Sequence, residues 1–154
     1  MKIFDCFMYF DEEIVLDIRL NMLNPVVDYF VIVESKFTHK GDKRNLKFDI
    51  NKFTEFKDKI IYLIFDEEPR DIESLLDKDV EDEKTRKLIL NAARRENSQR
   101  NFITKGLENA NNDDLILISD VDEIPNLEEI NFKNIKNQII LFRQDMFYYK
   151  LNLK

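Results

Sequence analysis

Glycine is scarce in this chain: only Gly41 and Gly106 occur among 154 residues. A phosphate-wrapping loop of the Rossmann or P-loop type needs several glycines at fixed spacing, so both are excluded and any nucleotide must be held another way. Cysteine is scarcer still. Cys6 alone rules out an internal disulfide and a Cys-rich zinc site, and fits a reducing compartment. The lone histidine, His39, lies in a polar loop with no neighbours at metal-ligand spacing. No apolar run approaches membrane-spanning length. The opening Met1-Lys2-Ile3-Phe4-Asp5 meets an acid where a signal peptide would continue its apolar region, so the expected location is cytoplasmic. A net charge of −7 argues against general nucleic-acid binding, although Lys40, Lys43 and Arg44 form a local basic group.

What remains is an ordinary soluble composition, 44% hydrophobic and 36% charged, in a chain long enough to bury one core. Residues 2–10 are apolar and aromatic and read as a strand. Residues 11–23 begin with acids and stop at Asn24-Pro25, which predicts a helix. Residues 26–34 are β-branched and aromatic, a buried second strand. A polar loop follows over 35–45, then a short helix over 50–57 and a third strand over 59–65. Residues 66–79 are acidic and irregular around Pro69. Residues 81–109 hold good helix formers, as one long helix or two shorter ones, with Gly106 near the end. Residues 114–119 form the fourth strand, 127–135 a short helix, and 138–149 one or two further strands. Strands separated by helices predict an α/β fold with a mostly parallel sheet, in which ligands sit beyond the carboxyl ends of strands.

The most informative motif stands at such an end. Leu115-Ile116-Leu117-Ile118 runs into Ser119-Asp120-Val121-Asp122-Glu123-Ile124-Pro125. Residues i and i+2 of an extended segment share a side, so Asp120 and Asp122 repel each other unless a cation or donors offset the charge. A divalent metal does so and can bridge a diphosphate, easing its departure. The alternative is a solvated turn with an Asp helix cap; the apolar strand before it and Pro125 behind it favour the metal reading. Glu34, ending the second strand, is equally placed to hydrogen-bond a nucleotide or sugar hydroxyl or simply to face water. On the long helix, Arg95 and Gln99 share one face and Glu96 and Arg100 another. Composition reads these as an exposed salt-bridged helix; the functional reading sends an Arg or Gln to phosphates or to the acidic turn. Phe142, Phe147, Tyr148 and Tyr149 suit core packing, or stacking on a sugar or base.

Taken in order, these segments resemble glycosyltransferase family 17. The resemblance is carried by Asp5-Cys6-Phe7, Phe10-Asp11-Glu12-Glu13, Leu16-Asp17-Ile18-Arg19-Leu20-Asn21, Val27-Asp28-Tyr29-Phe30-Val31-Ile32-Val33-Glu34 and Thr38-His39-Lys40-Gly41. Arg95-Glu96, Gln99-Arg100, Ile103 and Gly106-Leu107 follow, and Ile116 through Pro125 is the most specific piece. The family includes the enzymes that add the bisecting N-acetylglucosamine of N-glycans. The resemblance implies one GT-A type nucleotide-sugar domain over residues 1–154 and a Mn2+ or Mg2+ site. It also implies a UDP-sugar donor, with UDP-N-acetylglucosamine the first expectation, and inverting transfer to a glycan acceptor. Asp122 would touch the metal directly and Asp120 would act through ribose, water or the metal. Glu34 would lie near the nucleotide, and Arg95 and Arg100 near the phosphates or the acidic turn. Eukaryotic members are membrane-anchored, which makes this chain resemble bacterial or viral relatives. Members also continue past the equivalent of Lys154, so the acceptor side of the cleft is expected to be incomplete. An inverting transfer needs a general base; Asp145 is a candidate on charge alone. Two other readings stay open: a UDP-sugar-binding chain without turnover, and a magnesium-dependent phosphoryl-transfer enzyme. The latter normally carries its Asp-x-Asp on the first strand.

Overall fold

The computed structural model describes residues 1–128, 130–134 and 139–145. Four strands, β1 (Ile3–Tyr9), β2 (Tyr29–Ser35), β3 (Ile60–Phe65) and β4 (Leu115–Ile118), form one sheet in the order β3-β2-β1-β4. Every pairing is parallel. Two helices make the longer connections: α1 (Glu13–Leu23) between β1 and β2, and α2 (Glu81–Asn101) between β3 and β4. The chain moves outward from β1 to β2 to β3, then returns to the far side of β1 for β4. The strand order therefore reverses at β1/β4, the kind of place where open parallel sheets bind ligands.

The two-residue period of the strands sorts the core into two layers. Ile3 and Phe7 of β1 and Phe30 and Ile32 of β2 pack with Leu16, Leu20 and Leu23 of α1. Phe4 and Cys6 of β1 and Val31 and Val33 of β2 pack on the opposite face with Phe65 and Ile103. Both central strands are thus apolar on both sides, as buried parallel strands are. Burial, aided by the adjacent Asp5 carboxylate, raises the Cys6 thiol far above its ordinary pKa and leaves it inert.

The expected α/β architecture and its four strands are present. The helix over 81–109 divides: α2 stops at Asn101 and a 3-10 segment, Phe102–Leu107, continues. Of the two glycines only Gly41 has a positive φ, so Gly106 is not a left-handed helix cap. It marks a close approach instead, because a Cβ there would fall inside the Val31 side chain of β2. The helix expected over 50–57 is two 3-10 pieces, Ile50–Lys52 and Thr54–Lys59. That expected over 127–135 is one 3-10 turn, Phe132–Asn134, among the described residues. The strand expected over 138–149 does not form in residues 139–145, where Ile139 and Leu141 stay 79% and 90% exposed. An apolar run takes strand geometry only where a neighbour completes its ladder. Residues 138 and 146–149 of that expectation, including Phe147, Tyr148 and Tyr149, lie outside the described residues. No helix among the described residues is long and apolar enough to cross a membrane.

Two outcomes test this packing. Gly106→Ala should lower stability by about 1–3 kcal/mol, the usual cost of forcing atoms into a packed layer, as measured by urea denaturation. Asp114 accepts from the backbone N–H groups of Asn111 (2.8 Å) and Lys2 (2.6 Å), and these bonds, Asn111's first, hold its carboxyl below the ordinary range. A lowered folded-state pKa gives stability that is complete above about pH 4 and lost as pH falls through the lowered value. Asp114→Asn should therefore be less stable than the parent at pH 7, and the gap should narrow when the denaturation is repeated near pH 3.

Candidate active site

The acidic turn is built from below by a buried arginine. Arg19 lies on the inner face of α1, one turn from Leu16 and Leu23, and both it and Asp5 of β1 are fully buried. Its Nε and Nη2 donate to the two Asp5 carboxylate oxygens at 2.8 and 2.7 Å. Nη2 also donates to Ser119 Oγ at 2.7 Å. Nη1 donates to the carbonyls of Asp120 (2.7 Å), Val121 (3.1 Å) and Glu123 (3.1 Å). All five N–H groups of the guanidinium are used, and the Phe7 ring lies 4.6 Å from its carbon. Arginine's planar fork suits such a junction, because one edge takes a carboxylate while the remaining donors gather a turn's carbonyls.

The turn is closed by its own contacts. Glu123 N–H donates to the Asp120 carbonyl, Asp120 N–H to the Glu123 carboxylate, and Ser119 Oγ to the Glu123 carbonyl. Val121 is buried in the core, so Asp120 and Asp122 on either side of it are turned outward and exposed. Asp120 is met by Arg100 of α2 at 3.0 Å, and Arg100 also pairs with Glu96 at 3.1 Å. The Asp122 carboxylate has no protein donor against it among the described residues.

Both carboxylates line a cavity of about 870 Å³ above the ends of β1 and β2, together with Phe10, Ser35, the loop carrying His39 and Lys40, Arg44 and Gln99. Gln99 is buried and ties α2 to the sheet by donating to the Val33 carbonyl at 3.0 Å. Among the described residues no three His, Cys, Asp or Glu side chains converge as a closed metal cage. Two exposed carboxylates at a cavity mouth fit a different kind of site. Mg2+ and similar hard cations bind through one or two carboxylates and complete their shell with water and substrate phosphates. The donor set of Asp120 and Asp122 suits that mode.

The other sequence candidates fall in several places. Glu34 does not face water: it is fully buried, and its oxygens accept from the amides of Lys47 (2.7 Å) and Phe48 (3.1 Å) and the Tyr62 hydroxyl (2.8 Å). Arg44 pairs with it at 3.0 Å. Burial and then the Glu34 contact push the Tyr62 phenol up, and burial carries Tyr9 to about 12. A nucleotide reaching Glu34 would have to displace one of these partners. Arg95 pairs with Glu68 at 2.5 Å and donates to the His39 carbonyl at 3.2 Å, so it braces the 38–42 loop. A Cβ on Gly41 (φ +99°) would lie 2.7 Å from that guanidinium, which is why glycine stands there. Arg94 pairs with Asp71 and Glu73, the salt-bridged helix surface that composition favoured. Asp145 lines a separate cavity of about 360 Å³ with Asp122 and Phe142.

Sequence pattern did not single out Arg19 and Asp5 as functional residues. The signal was available: an arginine at helical spacing between leucines, and an aspartate between Ile3 and Phe7 on a strand buried on both sides. Opposite charges on two apolar elements that must meet indicate a buried pair.

A parallel sheet flanked by helices, with an acidic turn and a cavity beyond its strand ends, defines an α/β protein. The model for glycosyltransferase family 17 matches residues 1–149, and the chain belongs to that family. It is similar to the human and rat proteins named beta-1,4-mannosyl-glycoprotein 4-beta-N-acetylglucosaminyltransferase. Each is 31% identical over 125 residues, covering 76% of this chain and 20% of theirs. The chain thus spans about a fifth of the length of these relatives. No solved structure matches it.

Arg19→Met should remove about 3–5 kcal/mol, because the Asp5 carboxylate is left buried and unpaired. Adding Asp5→Leu should restore part of that loss but not all, since the turn's carbonyls still lack their donor. Urea denaturation of both variants gives the comparison.

Proposed function

We propose that this chain acts in glycosyl transfer from a UDP-sugar, N-acetylglucosamine in the first instance, to a glycan acceptor, on a GT-A type domain that uses Mn2+ or Mg2+. The observation that carries the reading is the exposed pair Asp120 and Asp122 lining a cavity of about 870 Å³ in a member of family 17. The name of the human and rat relatives supports the choice of sugar. Asp122 and Asp120 would hold the cation, whose chemistry is to neutralise the charge that builds on a departing diphosphate.

The chain's own residues prepare that site. Arg19 holds the backbone carbonyls of the turn that carries the two carboxylates. Arg100 holds one oxygen of Asp120 and offsets part of the like-charge repulsion between the pair. Inverting transfer also requires a base for the acceptor hydroxyl. The candidate is Asp145, supported by the cavity it shares with Asp122.

The test is a thermal-shift series. UDP with Mn2+ at about one hundred times its dissociation constant should add about 2.7 kcal/mol to the folded state and raise the Tm. Asp122→Ala should abolish the shift while moving the ligand-free protein by no more than about 0.5 kcal/mol, because Asp122 is exposed. Absence of a shift with any UDP-sugar and cation would overturn the proposal. Binding without transfer would assign a non-catalytic role. Hydrolysis of a simple phosphate ester without UDP-sugar binding would assign phosphoryl transfer.

A further inference from the structure

We infer that Phe10 is a stacking platform for the base of a bound nucleotide, an inference that rests on the function proposed above. Phe10 is the first residue after β1 and stands 44% exposed while lining the same cavity as Asp120 and Asp122. Its ring is seated on an arginine. The Arg44 guanidinium carbon lies 4.1 Å from the ring centroid, and the same side chain donates to the Phe10 carbonyl.

Arg44 is itself immobilised. It donates to the Ser35 carbonyl at 2.8 Å and pairs with Glu34 at 3.0 Å; the Arg44 and Glu34 side chains are 9% and 0% exposed. Glu34 is held by the Lys47 and Phe48 amides and the Tyr62 hydroxyl. A line of contacts therefore runs from the core to one aromatic ring at the cavity mouth. A ring fixed before binding offers stacking area without the cost of ordering it. The buried Glu34 thus serves a nucleotide indirectly, as a positioning residue for Arg44 and Phe10.

The strand register supplies the spacing. β1 lies between β4 and β2, with Cys6 opposite Ile118 and Tyr9 opposite Glu34. The acidic turn continues β4 on one side of Phe10, and the loop carrying Arg44 follows β2 on the other. Neighbouring strands are about 4.8 Å apart. A ligand with a flat base at one end and a diphosphate at the other, a nucleoside diphosphate, uses both features at once. Pyrophosphate alone uses only the acidic end.

The chain contains no tryptophan, so Phe10→Trp introduces one tryptophan at the platform, excited selectively at wavelengths its tyrosines do not absorb. With Mg2+ present, UDP should quench its emission saturably and inorganic pyrophosphate should not. In calorimetry of the full chain, Phe10→Ala and Phe10→Leu should each weaken UDP–Mg2+ binding by roughly five- to a hundredfold, the range of one base–aromatic stack. Pyrophosphate–Mg2+ binding should be unchanged in both. If either variant binds UDP as the parent does, or loses UDP and pyrophosphate equally, Phe10 is not the platform and the proposed function stands untouched. If the parent binds neither ligand, the proposed function fails and this inference with it.

Discussion

The structure turns on the buried pair of Arg19 and Asp5. Two full charges without solvent are tolerated only when geometry and remaining hydrogen bonds are complete, and here they are. The fork's two carboxylate bonds neutralise Asp5, and its other donors are free for the carbonyls of a turn more than a hundred residues away in sequence. One interaction thereby joins the first strand, the first helix and the turn after the fourth strand. Removing water from this junction is what makes it rigid. It also explains why a helix face made of leucines interrupts itself with an arginine.

Support for the acidic turn comes from both faces of the sheet. From the α1 side, Arg19 shapes the backbone; from the α2 side, Arg100 touches the Asp120 carboxylate. Gln99, one residue earlier, anchors α2 to the Val33 carbonyl, so Arg100 is delivered from a helix fixed to the central sheet. Asp122 is left with its carboxylate toward the cavity. The division is chemical: the Asp120 carboxylate is partly neutralised by Arg100, which eases the repulsion between two acids at this spacing.

The loop side of the cavity follows a related principle. Glu34 was readable as a strand-end acid, but its role depended on what folds over it. Residues 44–48 bring an arginine and two amides to its oxygens, and Tyr62 of β3 adds a third kind of donor. A carboxylate so surrounded is a scaffold for its neighbours. Arg95 behaves likewise, bracing the 38–42 loop through Glu68, the His39 carbonyl and the space that Gly41 leaves open. Both residues bear on the cavity through loops they hold, not through the acidic turn.

The sequence by itself determined the α/β class, the four strands, the burial of β2, and the acidic Asp120-Val121-Asp122 segment at the end of the fourth strand. Each of these rests on local pattern: continuous apolar runs, helix stop signals, and the two acids on either side of Val121. The ordered motifs also indicated family 17, to which the chain belongs. Only the tertiary structure decided the strand order, the burial of Glu34, the Arg19–Asp5 junction and the seating of Phe10 on Arg44. It also decided that residues 139–145 make no strand although their apolar run asks for one. These depend on which faces meet across long sequence separations. Desolvation, not residue type, then determines whether a charge becomes a ligand group or a structural one.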